Sequence, residues 1–206
     1  MKLKNSVISF LFVLLVPAVA SSAVEIGTIG IRAGASVSHM RHDSYRGSSE
    51  SITGFIGGAF VNIAVSNKLI IQPSISYAQR GGVYHDLADM LWGGQARVDE
   101  LVINRDYLEL PVLFRYNFQA NDSLWPSLVF GPVGSWVLTS ELLEEGGPYP
   151  DESGGFDVSM QLGLGLVQQY SGIELSLDVS YRRAMTDSDT WGFKADGFDI
   201  ILGVGF

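Results

Sequence analysis

Three groups of residues could do chemistry. His39-x-x-His42, with Asp43 beside it and His85 further along, brings together three imidazoles and a carboxylate, a donor set that suits Zn²⁺. With Ser44 or Ser48 the same histidines could make a hydrolase or acyltransferase triad, but no orienting spacing is visible. Acidic runs at Glu141, Glu144, Glu145, Asp151 and Glu152 and at Asp187-Ser188-Asp189 could hold Ca²⁺. They lack the glycine-spaced liganding order of an EF-hand loop. Solvated loop residues account for all of these, so no catalytic residue, metal or cofactor is expected and the chain is read as not an enzyme.

The third group is of a different kind. Arg32, Arg80, Arg115 and Arg182, with Glu109, Asp157, Glu174, Asp178 and Asp199, each sit inside an otherwise apolar run. Within each run the charge falls on one parity and the large apolar side chains on the other. In Ile173–Arg183, Ile173, Leu175, Leu177, Val179 and Tyr181 alternate with Glu174, Ser176, Asp178, Ser180 and Arg182. Period-two alternation is the mark of a β-strand with two unlike faces.

Eight such runs follow in order: 29–39, 54–65, 69–81, 106–118, 125–139, 155–170, 173–183 and 196–206. Between them lie a polar loop (40–51), the tight turn Ser66-Asn67-Lys68, the longest break (82–105), a short turn (119–124), an acidic loop (140–154), the two-residue turn Ser171-Gly172 and a loop with Trp191 (184–195). Long and short connections alternate strictly. A soluble sandwich has no reason for this, whereas a transmembrane barrel has long external loops and short periplasmic turns.

Bulk composition agrees. The 206 residues carry 17% charged side chains and 24 glycines, against about 25% charged in ordinary soluble domains, and mean hydropathy is +0.22. Beyond the N-terminus no apolar run reaches the length of a membrane helix. Residues 1–23 read as a secretory signal peptide: Lys2 and Lys4, an apolar core over 7–16, and small-x-small sites at Ala18-Val19-Ala20 and Ser21-Ser22-Ala23. Residues 24–206 form the barrel domain, with 11 basic against 22 acidic side chains. An acidic secreted chain is a poor nucleic-acid binder. Cysteine is absent, which excludes disulfides and thiolate metal sites.

Charge decides which face is outside. A basic side chain on the lipid face at mid-bilayer costs roughly 2–4 kcal/mol, so the charged parity must point inward. The expected fold is all-β, an eight-stranded antiparallel up-and-down transmembrane β-barrel whose interior is an Arg–carboxylate network. Barrels of this size are about filled by their own side chains, so no open pore is expected. A lipocalin-like soluble barrel is the alternative, but it leaves the scarcity of lysine and the loop alternation unexplained. Trp92, Trp125, Trp136 and Trp191 suit interfacial girdles. Pro73, Pro111 and Pro132 sit in central strands and are expected to mark bulges, with a seam that opens sideways as the second reading. Gly163-x-Gly165 and Gly203-x-Gly205 are expected to leave room for large inward side chains such as Arg.

Specific stretches carry a family resemblance. The last strand ends on Phe206, as the closing strands of bacterial outer-membrane barrels do, and so resembles the signal that the barrel assembly machinery reads. Gln72-Pro73-Ser74-Ile75-Ser76-Tyr77-Ala78-Gln79-Arg80-Gly81 and Tyr107-Leu108-Glu109-Leu110-Pro111-Val112-Leu113-Phe114-Arg115-Tyr116, with Gly131-Pro132 and Gly30-Ile31-Arg32-Ala33-Gly34, resemble the PorT-like outer-membrane β-barrel family. Ser74 departs from the acid common there. The resemblance implies a single eight-stranded barrel in the bacterial outer membrane, in contact with outer-membrane lipid, and is nearly silent on activity; the role expected for the chain is structural or through surface interactions of four external loops. Its alternative is an accessory role in a protein-secretion complex, and less favoured is a rim hydrolase.

Overall fold

The computed structural model describes residues 25–42, 49–85, 100–118, 124–144, 147–150, 155–186 and 193–206. Nine strands occur among them: β1 (Glu25–His42), β2 (Ser49–Ala64), β3 (Leu69–His85), β4 (Glu100–Asn117), β5 (Leu124–Glu144), β6 (Gly147–Pro150), β7 (Phe156–Tyr170), β8 (Ile173–Ala184) and β9 (Phe193–Gly205). All pairings are antiparallel, and the sheet runs β4-β3-β2-β1-β9-β8-β7-β5, with a β4–β5 ladder closing it. The closed wall therefore has eight strands. β6 only extends the outer end of β5, through Glu141↔Pro150 to Glu144↔Gly147. Among the described residues closure leaves the eight-stranded wall no unpaired edge, the condition for carrying a backbone through lipid. Phe206 completes it, exchanging N–H···O bonds with Ile29 at 2.9 and 3.2 Å.

The outward parity is apolar on every strand that lipid would touch. Ile31, Leu162, Leu164, Ile200 and Leu202 are each more than half exposed, up to 67% for Leu164. Such a surface on a soluble domain would be a large sticky patch; around a closed barrel it is a lipid belt, and the soluble lipocalin-like alternative falls with it. Aromatic rings bound the belt at both ends. Tyr116, Phe118, Trp125, Tyr170 and Phe206 lie by the short turns, and Phe55, Tyr77, Trp136, Phe156, Tyr181 and Phe198 lie toward the long loops. At about 3.4 Å per residue and about 40° tilt, the rise from Phe206 to Phe198 is roughly 20 Å and from Phe118 to Leu108 roughly 26 Å, the height of an outer-membrane apolar band.

Three sequence expectations are corrected. First, the strands are longer than their apolar belts: β1 continues to His42, β3 to His85, and β4 begins at Glu100. Pairs such as Val83↔Val102 and Tyr84↔Leu101 carry the ladder beyond the membrane. His42 and His85, which fell in the expected loops, are accordingly strand residues, as His39 is.

Second, none of the prolines makes a bulge. The β3–β4 register is unchanged from Leu69↔Tyr116 to His85↔Glu100, and the β4–β5 register passes Pro111↔Val133 and Phe114↔Phe130 in step. The register shifts lie instead between Ile26 and Ile29, between Ser51 and Ile56, and between Asp106 and Tyr107. Third, the prolines do not weaken one seam. The pairings missing beside them lie in three different ladders: near Pro73 toward β2, near Pro111 toward β3, and near Pro132 toward β4. Each ladder loses a short stretch at one height, and a lateral opening would need one ladder to lose most of its rungs. The Pro111 carbonyl accepts the Ser74 hydroxyl at 3.4 Å.

Candidate functional site

The lumen is built in layers, each from inward positions of several strands. Beside the short turns, Asn62 Nδ2 donates to Glu174 Oε1 and to Thr28 Oγ1, both at 2.8 Å, and Gln72 Nε2 donates to Asn62 Oδ1 at 2.8 Å. Above this, Arg115 bridges Asp178 Oδ2 (2.7 Å) and Ser127 Oγ (3.0 Å), and Arg32 donates to Ser76 Oγ (2.8 Å).

The central layer crosses the barrel. Arg80 on β3 reaches Asp199 on β9 through both terminal nitrogens, at 2.7 and 3.0 Å. Its Nε donates to Glu109 Oε1 at 2.9 Å and its Nη1 to Ser36 Oγ at 2.6 Å. Arg182 on β8 donates to the same Glu109 oxygen. Two guanidiniums thus share one carboxylate, and a bidentate Arg–Asp pair spans the lumen. Charge-assisted bonds of this kind are the strong ones, and buried ions offset their desolvation only where such bonds are made.

All nine residues expected inside are buried: Arg32, Arg80, Arg115, Arg182, Glu109, Asp157, Glu174, Asp178 and Asp199. One partner was missed. Arg105, buried and donating to Ser140 Oγ at 3.3 Å, belongs to the same interior. It falls in the stretch read as a loop. Continuing the β4 alternation back from Glu109 through Tyr107 would have found it, because 105, 107 and 109 share a parity. With Arg105 the named inward charges among the described residues are five basic against five acidic, where the sequence reading had four against five.

A second miss is apolar. Met40, Tyr84, Leu101, Ile103, Phe193 and Ala195 pack together inside the barrel toward the long-loop end, above the charged layers. The Tyr84 hydroxyl donates to the Met40 carbonyl at 2.6 Å, and the Tyr84 and Phe193 rings lie 5.2 Å apart. Alternation alone marks these positions as inward and polar by analogy with their neighbours; only the packing shows an apolar cap.

The glycines make room as expected at Gly165. A Cβ there would stand 2.6 Å from Arg115 Nη1 and against Asp178 Oδ1. The histidines do not converge. His85 Nε2 lies 3.4 Å from Glu50, His42 packs edge-on to Phe193 at 5.3 Å, and among the described residues no group of three or more His, Cys, Asp or Glu is placed to hold a metal. Residues 1–23, Asp43, Ser44, Ser48, Trp92, Asp187-Ser188-Asp189, Trp191 and, within the acidic loop, Glu145, Asp151 and Glu152 lie outside the described residues.

A closed eight-stranded barrel with an apolar belt between aromatic girdles and a lumen of buried ion pairs defines the class of outer-membrane β-barrels. The sequence profile described as "Outer membrane protein beta-barrel domain" matches residues 27–190, and the chain belongs to that family; its place is the bacterial outer membrane. Among solved structures it is similar to Neisserial surface protein A (NspA), at 12% identity over 86% of this chain and 97% of the other, with TM-score 0.50. It is also similar to Ail, the attachment invasion locus protein of Yersinia pestis (16%, 88% and 100%, TM-score 0.45), and to OprG from Pseudomonas aeruginosa (13%, 87% and 96%, TM-score 0.46). At such identities the NspA likeness bears on fold alone. No curated protein sequence matches the chain.

Proposed function

We propose that this barrel is a non-catalytic, non-conducting surface protein of the PorT-like kind, which works through what its outer rim and external loops contact. The observation that carries this reading is the Arg80–Glu109–Asp199–Arg182 cluster joining opposite walls. A lumen crossed by buried ion pairs and capped by apolar side chains leaves the rims as the surfaces available to partners. Residues 1–23 serve as the export signal, Phe206 as the feature read by the assembly machinery, and the belt as the contact with outer-membrane lipid. A second reading, an accessory of a secretion complex, rests on the PorT-like stretches of β3 and β4 and would use the periplasmic turns.

Photoreactive residues separate the two. One placed at His85 samples the outer rim, and one at Lys68 samples a periplasmic turn. Adducts with a surface or extracellular partner from His85 support the first reading. Adducts confined to Lys68, with envelope secretion proteins, overturn it in favour of the second. Planar-bilayer recording checks the closed lumen: the wild-type protein gives no stepwise conductance, and steady open-channel steps would refute that part of the proposal.

A further inference from the structure

The outer wall of a small barrel is convex, so a cleft on it needs a cause. One of about 320 Å³ lies across β2, β3, β4 and β5, within the size range of small-ligand pockets, about 300–1,000 Å³. Register shifts border it on both sides, between Ser51 and Ile56 in β2–β3 and between Asp106 and Tyr107 in β4–β5. Bulges bend a strand and re-aim its side chains, and here they dent the wall. On the β2 side, the Phe55 N–H turns to the Gln79 side-chain oxygen at 3.4 Å.

The height of the cleft is set by register. Gln79, Asp106 and Thr139 stand side by side on β3, β4 and β5, one outward step above Tyr77, Leu108 and Trp136 of the upper girdle. Asn104 and Glu141 form the next step, and Thr53 lies across on β2. This is above the acyl-chain belt but still on the wall, where the headgroups of the outer leaflet lie against the protein.

We propose that this cleft holds the sugar headgroup of an outer-leaflet glycolipid. The outward lining offers two carboxylates, two amides and two hydroxyls, the donors and acceptors that a polyol needs. The guanidiniums of Arg80 and Arg105, which border the cleft from within the wall, are buried and committed to the lumen. A bare phosphate would meet Asp106 and Glu141, which repel it. Below the polar row, Trp136 is 44% exposed and offers an aromatic surface against which a sugar can rest. On the far wall Arg41 and Lys194 stand opposite each other on β1 and β9, with Arg41 paired to Asp196 at 3.0 Å. The site is independent of the loop partners proposed above.

The test uses the folded full-length barrel in nanodiscs of phosphatidylethanolamine and phosphatidylglycerol, with or without lipooligosaccharide. The readout is the temperature at which the folded gel band converts to the unfolded one. Lipooligosaccharide is expected to raise that temperature for wild type, in the presence of EDTA as well. Asp106→Asn and the pair Gln79→Ala/Thr139→Val are expected to lose the rise while keeping the wild-type value in phospholipid alone. Should either variant fail to fold, soluble core oligosaccharide added to the wild type is expected to shift the indole N–H resonance of Trp136. A rise that survives both changes, one that EDTA abolishes in wild type, or an unmoved Trp136 resonance overturns the proposal.

Discussion

The residues that hold the interior are ions, and ions are costly to bury singly. Arg115 and Asp178 make one such pair at 2.7 Å, with Gly165 leaving the space in which they meet. Removing one partner strands the other in a buried site, a loss of about 3–5 kcal/mol, whereas replacing both by apolar groups is often neutral. Arg115→Met is therefore expected to lower stability strongly, and Arg115→Met/Asp178→Leu to recover most of the loss, as read by urea unfolding in detergent. Equal losses in the single and double variants would show that the pair is not coupled. Gly165→Val tests the same place by volume: it should behave like the single variant, because its side chain displaces the Arg115 guanidinium. The parity of these residues was legible in the sequence. Which arginine meets which acid was not, because Arg80 and Asp199 are far apart in the chain and become neighbours only across a closed lumen.

At the scale of elements, the turns decide register. Ser171 and Gly172 have φ of 49° and 85°, the left-handed pair that a two-residue hairpin turn requires. Gly172→Ala meets no atom within 4 Å, so its whole effect is backbone strain, about 1–2 kcal/mol. Thermal conversion of the folded gel band should register it, and Ser171→Asn, better suited to a left-handed φ, should move the midpoint the other way. The strands also show where pattern reading misplaces features. Proline signals a missing N–H, and a bulge was the expected remedy. The barrel instead spreads the three losses over three ladders in register, while the actual shifts fall at Ile26/Ile29, Ser51/Ile56 and Asp106/Tyr107, where the local sequence has no proline to announce them.

For the molecule as a whole, the lipid belt is the dominant fact. Leu164 lies between Phe156 and Tyr170 on β7 and is 67% exposed. Leu164→Arg is expected to cost about 2–4 kcal/mol, measured by reversible unfolding in a bilayer, and the same change in a water-facing protein would cost almost nothing. The closed wall also predicts resistance to SDS until heating: unboiled and boiled samples should migrate differently on a denaturing gel, and identical migration would contradict closure.

The sequence by itself determined that the chain makes strands, that they form antiparallel hairpins with long loops at one end, and that charge and large apolar groups lie on opposite faces. These are local consequences of side-chain alternation and turn chemistry, readable two residues at a time. Only the tertiary structure decided the cross-lumen ion pairs, the place of Arg105, the apolar cap and the dented outer wall. Each depends on how strands distant in the chain are set side by side once β4 meets β5, and no local pattern encodes that distance.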